Sequence, residues 1–246
     1  MTKAQEVFNA LTMLPYPLIG LYFTLTGKWL FQGKGSSSSE DYRFDDDQCI
    51  FSSLLPDLYA APPIPTLAIV LGLVLHSPCS IYYHLLCAFK LPPGPERLTH
   101  WSRRLDQSMI HVMSFLNSYG SSGSVDYTIL GLLFALDSIY HLHHQPSHKP
   151  LVRMIVAFAF PILPLLTPMN NGYFTMEAMQ LIFIYSVSGW LFVTYPFGGW
   201  SHGIFHLVCA FSIPVTLSVS TKLEASNEAL LVATRCAGIL EGGTLS

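Results

Sequence analysis

Two histidines late in the chain have a spacing suited to metal binding. They are His202 and His206, which lie four residues apart in the segment Trp200–His206. Residues four apart lie one above the other on one face of a helix, so two imidazoles can reach one metal ion, as they do in two-histidine zinc helices. Earlier in the chain, Ser80 and His84 have the same spacing, which again places both side chains on one helix face.

The composition indicates the surroundings of these residues. Of the 246 residues, 51% are hydrophobic and 11% are charged, whereas a soluble globular domain carries about 25% charged residues. No charged residue occurs in 64–89 or in 154–174, and uncharged apolar runs of about 18 or more residues are typical of membrane spans. These features exclude a soluble single domain, a disulfide-built secreted module and a disordered chain. They predict a polytopic membrane protein.

Seven segments can be drawn as helices that cross a bilayer about 30 Å thick at a rise of about 1.5 Å per residue. We therefore predict an all-α fold, a bundle of seven transmembrane helices that forms a single membrane domain over 1–246. The predicted spans cover residues 7–27, 64–89, 105–120, 124–142, 152–168, 174–196 and 200–220. The third is short and polar, and the fifth contains Pro161 and Pro164, which membrane helices tolerate because neighbouring groups satisfy the freed carbonyls.

Successive spans alternate in direction, and this alternation brings the polar residues to one end of the bundle. The second span runs towards the face on which the N-terminus lies, and His84 is near its end. The third and seventh spans leave from that same face, with Asp106 and the pair His202 and His206 near their starts. Ionisable residues at membrane depth are costly and therefore point to a function. We expect these residues and Ser80 to form one site.

The chemistry of this set favours a zinc site. Three neutral imidazoles and a water form the ligand set of a catalytic zinc ion, so we predict that His84, His202 and His206 bind Zn²⁺. Such an ion lowers the pKa of its bound water to about 7 and supplies hydroxide at neutral pH. Asp106 is then placed to accept the proton of that water as a general base or to orient the water. Ser80 is the candidate hydrogen-bond partner of the water or of the oxyanion of a tetrahedral intermediate. The competing interpretation is that each polar group only hydrogen-bonds between helices.

The pattern Ser80–His84, an early Asp106 in the third span and His202–His206 at the start of the seventh resembles the CREST superfamily. That group comprises alkaline ceramidases, adiponectin/progestin-type receptors, hemolysin III-like proteins and GPI-remodelling proteins. The resemblance covers the seven-span layout, and five residues carry it. It implies a seven-helix fold, a zinc ion bound by the three histidines, and hydrolysis of a lipid amide or a related bond. Ser201–His206 is similar to the receptor branch, whereas Leu105–Met109 is nearer the ceramidase and hemolysin III branches.

We therefore expect an intramembrane zinc-dependent hydrolase that acts on a lipid amide or ester, with a ceramide-like substrate implied by the resemblance. Its location suits a membrane lipid that arrives laterally between the helices. One alternative is a receptor-like or scaffold protein of the same fold, in which zinc is structural and turnover is slight or absent. A second is a small transporter that uses the polar groups as an ion path. The polar residues gather at one face of the membrane, which argues against a transporter.

The remaining histidines are assigned smaller roles. The histidine-rich segment 141–148 is a metal candidate by composition, but it falls at the end of the fourth span and in a loop, where solvated histidines are usual. His76 is expected to bond within the bundle. His111, a little over one turn beyond Asp106, is the expected additional partner of the site.

Two segments lie outside the predicted spans. Residues 32–61 contain four consecutive serines and six acidic residues, and such a stretch cannot bury enough apolar surface to become ordered. We predict a flexible acidic loop there. The tail 221–246 alternates alanines with glutamates.

Charge and cysteine content complete the sequence predictions. The net charge of −3 gives no basic footprint, so nucleic acid is not an expected partner. Five cysteines without a C-x-x-C pair indicate neither a disulfide framework nor a cysteine zinc site, although Cys49 and Cys236 share one face. The face that carries the N-terminus holds seven Lys and Arg against five on the other. The positive-inside rule then places the N-terminus and the metal site in the cytoplasm. The sequence assigns no organelle and no oligomeric state.

Overall fold

The computed structural model describes residues 1–25, 62–144, 150–167 and 173–226. Within these ranges the chain is almost entirely helical and contains no β-strand. The helices, in chain order, are α1 (Lys3–Leu11), α2 (Pro15–Leu25), α3 (Ile64–Phe89), α4 (Glu96–Thr99), α5 (Trp101–Ser122), α6 (Val125–His144), α7 (Pro150–Ala159), α8 (Leu163–Leu166), α9 (Thr175–Thr194), α10 (Ser201–Ala210) and α11 (Ser212–Lys222). The predicted all-α class is confirmed for the described part of the chain.

Several sequence predictions concern residues outside these ranges. They are the acidic loop 32–61, the tail beyond residue 226, Cys49, Cys236 and His148. These predictions are not addressed by the described residues.

Five stretches of the described chain are long and apolar enough to cross a membrane. They are Lys3–Leu25, Ile64–Phe89, Val125–His144, Thr175–Thr194 and Gly198–Lys222. They correspond to the first, second, fourth, sixth and seventh predicted spans, and they are consistent with an integral membrane protein. The count of seven is not confirmed, because α5 is long but polar and because α7 and α8 are each short.

The polar side chains of α5 lie inside the bundle. The buried serines are Ser102, Ser108, Ser114, Ser118 and Ser121. Small residues also let α5 approach α3 closely, as they do in membrane helix pairs. A Cβ atom on Gly120 would lie 2.3 Å from Ile69 Cγ1, and one on Gly72 would lie 3.3 Å from Met113 Cα. This close packing holds the N-terminal half of α3 against the C-terminal half of α5.

The described part of the first predicted span (7–27), which ends at residue 25, belongs to two helices. The first begins at Lys3, because Thr2 caps its N-terminus and forms a capping box with Gln5. The chain then turns after Leu11, and α2 begins at Pro15, a residue that suits a first helical turn because it needs no amide hydrogen there. The short helix α1 packs against α3 and α10, which brings the N-terminal residues to the two helices that carry the histidines.

The fifth predicted span, 152–168, is also interrupted. The helix α7 ends at Ala159, and α8 begins at Leu163. Pro161 lies in the break, and Pro164 lies in the first turn of α8. Proline lacks an amide hydrogen and disfavours a helical conformation of the residue before it, which explains the interruption.

The seventh predicted span, 200–220, comprises a 3₁₀ turn (Gly198–Trp200) followed by α10 and α11. The hydroxyl of Ser201 accepts a hydrogen bond from the backbone N–H of Phe197 at 2.8 Å, so the turn and the start of α10 are joined. A buried apolar cluster packs between these helices, the first span, α3 and α9, and it includes Met13, Ile69, Leu191, Phe205 and Leu217. The start of α10 and this cluster together determine the direction of the α10 histidines.

Candidate metal centre

Three histidines from two helices meet at one point. His84 comes from α3, and His202 and His206 come from α10. The ring centroids are 5.1 Å apart for His84 and His202, 5.6 Å for His84 and His206, and 4.5 Å for the two α10 histidines. One ligand atom from each residue lies within 4.8 Å of the other two. The three side chains are therefore close enough to hold one metal ion, as the sequence predicts.

A hydrogen bond from the N-terminal helix determines the tautomer of His84. The ring is 1% exposed, and its Nδ1 atom donates to Oε2 of Glu6 at 2.9 Å. A carboxylate can only accept a hydrogen bond, so Nδ1 carries the proton and Nε2 keeps its lone pair. The Nε2 atom is buried and has no hydrogen-bond partner. It is therefore available as a ligand atom.

The same helix and the turn after it orient His206. Its Nδ1 atom lies 3.1 Å from the hydroxyl of Thr12 and 3.3 Å from the backbone oxygen of Asn9. Because the Thr12 hydroxyl donates to that same Asn9 oxygen at 2.8 Å, it accepts the proton of His206 Nδ1. The Nε2 atom again keeps its lone pair. The hydroxyl of Tyr16 donates to the backbone oxygen of His206 at 2.9 Å, which also fixes the backbone there.

Aromatic packing orients His202, which is partly exposed. Its ring stacks on Phe205 with a centroid distance of 5.8 Å and lies at the same distance from Phe192. Its Nδ1 atom is buried without a hydrogen-bond partner. His202 is thus held by aromatic packing, whereas His84 and His206 are held by hydrogen bonds.

The two predicted catalytic residues lie in the same cavity as the histidines. Ser80 and Asp106 line a space of about 230 Å³ together with the triad, and Ser80 is close enough to the Asp106 carboxylate to interact with it. The Oδ1 atom of Asp106 lies 3.5 Å from Nε2 of His76, which is ion-pair distance. All five residues predicted from the sequence are therefore brought together. Apolar side chains that include Ile110, Met113, Phe158, Phe192 and Ile213 line the rest of the cavity.

The residues present fit a bound metal ion. Buried polar atoms almost always have a hydrogen-bond partner, yet several around this cavity have none. These atoms are His84 Nε2, His202 Nδ1, Asp106 Oδ1 and both ring nitrogens of His76. A metal ion held by the triad would satisfy His84 Nε2, and imidazole suits zinc, copper, iron and nickel. The donor set thus supports a metal site without identifying the metal.

Three neighbours of the site were not predicted from the sequence. They are Glu6 and Thr12, which contact the histidines, and His76, which contacts Asp106. The sequence does carry a signal for Glu6, because Thr2 and Gln5 form a capping-box pattern that starts the helix before the predicted span. No local pattern indicates which way His76 points.

Among the described residues, the other histidines of the predicted candidates do not converge on a common point. His111, the expected additional partner, faces Phe134 at a centroid distance of 6.1 Å and does not line the cavity. In the segment 141–144, His141 lies 3.5 Å from Asp137, His143 lies 3.2 Å from Ser108 and His144 stacks on Tyr140. These described histidines thus contact three different partners.

Comparison with known proteins adds no assignment. Neither a protein-family model, nor a curated protein, nor a solved structure matches the chain. The functional conclusion therefore depends on the geometry of the site.

Proposed function

We propose that the chain is an intramembrane zinc-dependent hydrolase that acts on a lipid amide or ester. One observation carries this proposal: His84, His202 and His206 place their ligand atoms within 4.8 Å of one another. Three imidazoles with an open fourth position are the usual ligand set of a catalytic zinc ion. The resemblance to the CREST superfamily favours a ceramide-like amide as the substrate.

The side chains around the triad suit hydrolysis of a carbonyl compound. A zinc ion held by His84, His202 and His206 would supply Lewis acidity and a water whose pKa is about 7. The Asp106 carboxylate, whose Oδ1 atom lies 3.5 Å from His76 Nε2, would take a proton from a water in the cavity and return it to the leaving amine or alkoxide. The Ser80 hydroxyl, one turn before His84, donates to the carbonyl oxygen as negative charge develops on it. The apolar part of the cavity holds hydrocarbon and excludes bulk water.

The proposed topology has seven spans. In addition to the five apolar stretches, α5 has 22 residues, which is about 33 Å of helix and enough to cross the hydrocarbon core. Its buried serines are shielded from lipid by its neighbours. The stretch 150–166 supplies the remaining span. The positive-inside rule orients the N-terminus and the metal site towards the cytoplasm, and protease access to residues 32–61 in sealed vesicles tests that orientation.

The first test of the function is the metal content of the detergent-purified protein. We expect about one zinc per chain in the wild type and loss of most of it in His202→Ala, because a structural or catalytic zinc needs at least three protein ligands. The matched control is His144→Ala, which removes an exposed histidine that stacks on Tyr140. Less than about 0.2 zinc per chain in the wild type contradicts the metal assignment.

The second test is turnover by the zinc-loaded protein. Fatty-acid release is measured from a panel of lipid amides and esters that includes ceramides. We expect Asp106→Asn to keep its zinc and to lose about 10²- to 10⁴-fold of the wild-type activity, the usual contribution of a general base. Equal release by both proteins removes the base assignment. A zinc-loaded wild type that releases no fatty acid favours the receptor-like or scaffold role.

A further inference from the structure

A buried carboxylate from α1 joins the candidate metal centre to the segment that follows α3. The side chain is that of Glu6, which is 3% exposed. Its Oε2 atom accepts a hydrogen bond from His84 Nδ1 at 2.9 Å, and its Oε1 atom accepts one from Arg97 Nη1 at 2.8 Å. A buried carboxylate without partners is costly. Both contacts are therefore needed to keep Glu6 in this position.

Backbone groups hold the guanidinium of Arg97 in one orientation. Its Nε and Nη2 atoms donate to carbonyl oxygens at the end of α3 and just after it, those of Cys87, Leu91 and Pro92. The last turn of a helix leaves such carbonyls unpaired, and a cation there is favourable. Together these contacts form a closed ring that runs from His84 to Glu6, then to Arg97 and back to α3. The ring closes because α3 carries both His84 and the Cys87 carbonyl. Movement of Arg97 would therefore be transmitted through Glu6 to the His84 ring.

The ring of contacts determines how His84 can bind a metal. Donation from Nδ1 to Glu6 selects the tautomer in which Nε2 has the lone pair, and it also fixes rotation of the imidazole. Histidine ligands commonly donate their second nitrogen to a carboxylate, and loss of that carboxylate typically costs 10- to 100-fold in metal affinity. Thr12 has the corresponding role for His206 as a neutral acceptor. Of these two ligands, only His84 donates to a charged acceptor.

We infer that Glu6 is a positioning residue of the metal site and that Arg97 holds it in place. This inference rests on the proposed function, because it requires a metal at the histidine triad. Glu6 acts through His84 and has no role as a ligand. A purely structural ion pair would stabilise the metal-free protein but would leave the metal affinity of the folded protein unchanged. Metal affinity and metal-free stability must therefore be measured separately.

The test uses the full chain, purified in detergent, as the wild type and four variants. Glu6→Gln removes the carboxylate charge, Glu6→Asp keeps it on a shorter side chain, and the double variant Glu6→Gln/Arg97→Gln leaves no unpaired buried charge if the single variant folds poorly. Glu96→Gln is the matched control, because Glu96 is exposed and precedes Arg97 in the chain. Zinc affinity is measured by competition with a chromogenic chelator, stability by thermal unfolding of the metal-free protein, and geometry by the absorption spectrum of the Co²⁺ form.

We expect Glu6→Gln and the double variant to bind zinc about 10- to 100-fold more weakly than the wild type, with an altered Co²⁺ spectrum. Glu6→Asp should recover part of the affinity, and Glu96→Gln should match the wild type. Wild-type zinc affinity in a folded protein that lacks the Glu6 carboxylate overturns the inference and leaves the proposed function intact. A wild type that binds no zinc overturns both.

Discussion

Gly203 lies between the two histidines of α10, and its replacement by alanine tests how closely α1 packs on the metal centre. A Cβ atom at this position would lie 2.4 Å from Phe8 Cδ1 and 2.9 Å from Asn9 Oδ1. Carbon atoms pack at about 3.5–4.0 Å, so Gly203→Ala requires a displacement of at least about 1 Å. The Phe8 ring is also packed edge-on against Trp200 at 5.3 Å, which limits its escape. We expect α1 and α10 to move apart.

The size of the effect follows from the contacts that α1 makes. Overpacking of this kind costs about 1–3 kcal/mol, and each kcal/mol lowers the unfolding temperature by about 2–4 °C in a chain of this size. A displacement of about 1 Å also lengthens the 3.1 Å contact between Thr12 and His206 Nδ1 beyond hydrogen-bond distance. Loss of one such bond is worth about 1 kcal/mol. We therefore expect Gly203→Ala to bind zinc about fivefold more weakly.

The assay is thermal unfolding and zinc competition in detergent, with Gly189→Ala as the control. Gly189 lies inside α9, and a Cβ atom there would meet no atom within 4 Å. Because glycine inside a helix costs about 0.5–1 kcal/mol relative to alanine, the control variant should be unchanged or slightly more stable. A Gly203→Ala protein with the unfolding temperature and the zinc affinity of the wild type would refute the reasoning that α1 is packed tightly on α10.

Three further changes test other parts of the structure. Thr12→Val removes the nearer of the two acceptors of His206 Nδ1 and leaves the Asn9 backbone oxygen, so it should weaken zinc binding up to about fivefold in a competition titration; unchanged affinity contradicts the assignment of Thr12 as the acceptor. Removal of the metal with a chelator should lower stability by about 2.7 kcal/mol relative to protein in zinc at 100 times its Kd, measured by thermal unfolding, and His202→Ala should not respond. Asp137→Asn breaks an ion pair to Arg153 in which the aspartate side chain is 55% exposed. It should therefore change the free energy of unfolding by less than about 1 kcal/mol, and a larger loss in thermal unfolding contradicts this expectation.

Much of the candidate site could be predicted from the sequence, because its three ligands depend on local rules. The four-residue spacing of His202 and His206 places them on one face wherever α10 lies. The alternation of span direction puts His84 and Asp106 at the same end of the bundle. Neither argument requires knowledge of how a helix is rotated about its own axis in the bundle. The five predicted residues therefore line one cavity, although two of the seven predicted spans are not apolar or long enough to be confirmed.

The residues that surround the ligands could not be predicted in the same way. His76 lines the cavity and His111 does not, although both lie in helices that reach the site. The choice depends on how α3 and α5 are rotated about their axes where Gly72 and Gly120 bring them together. The first predicted span begins after Glu6, because its charge marks the edge of an apolar run. That charge is buried because Arg97 and His84, both far along the chain, contact it.

Apolar runs and residue spacing by themselves predict helices that are long and apolar enough to cross a membrane and that carry histidines near their ends. These properties are local, since they depend on the transfer of each segment into lipid and on the period of a helix. Tertiary structure decides which polar groups orient those histidines and where the helices break. The reason is that hydrogen bonds between distant segments, such as Glu6 with His84 and Thr12 with His206, depend on helix rotation and crossing. Those in turn depend on close contacts at a few glycines, whose effect appears only when the helices pack.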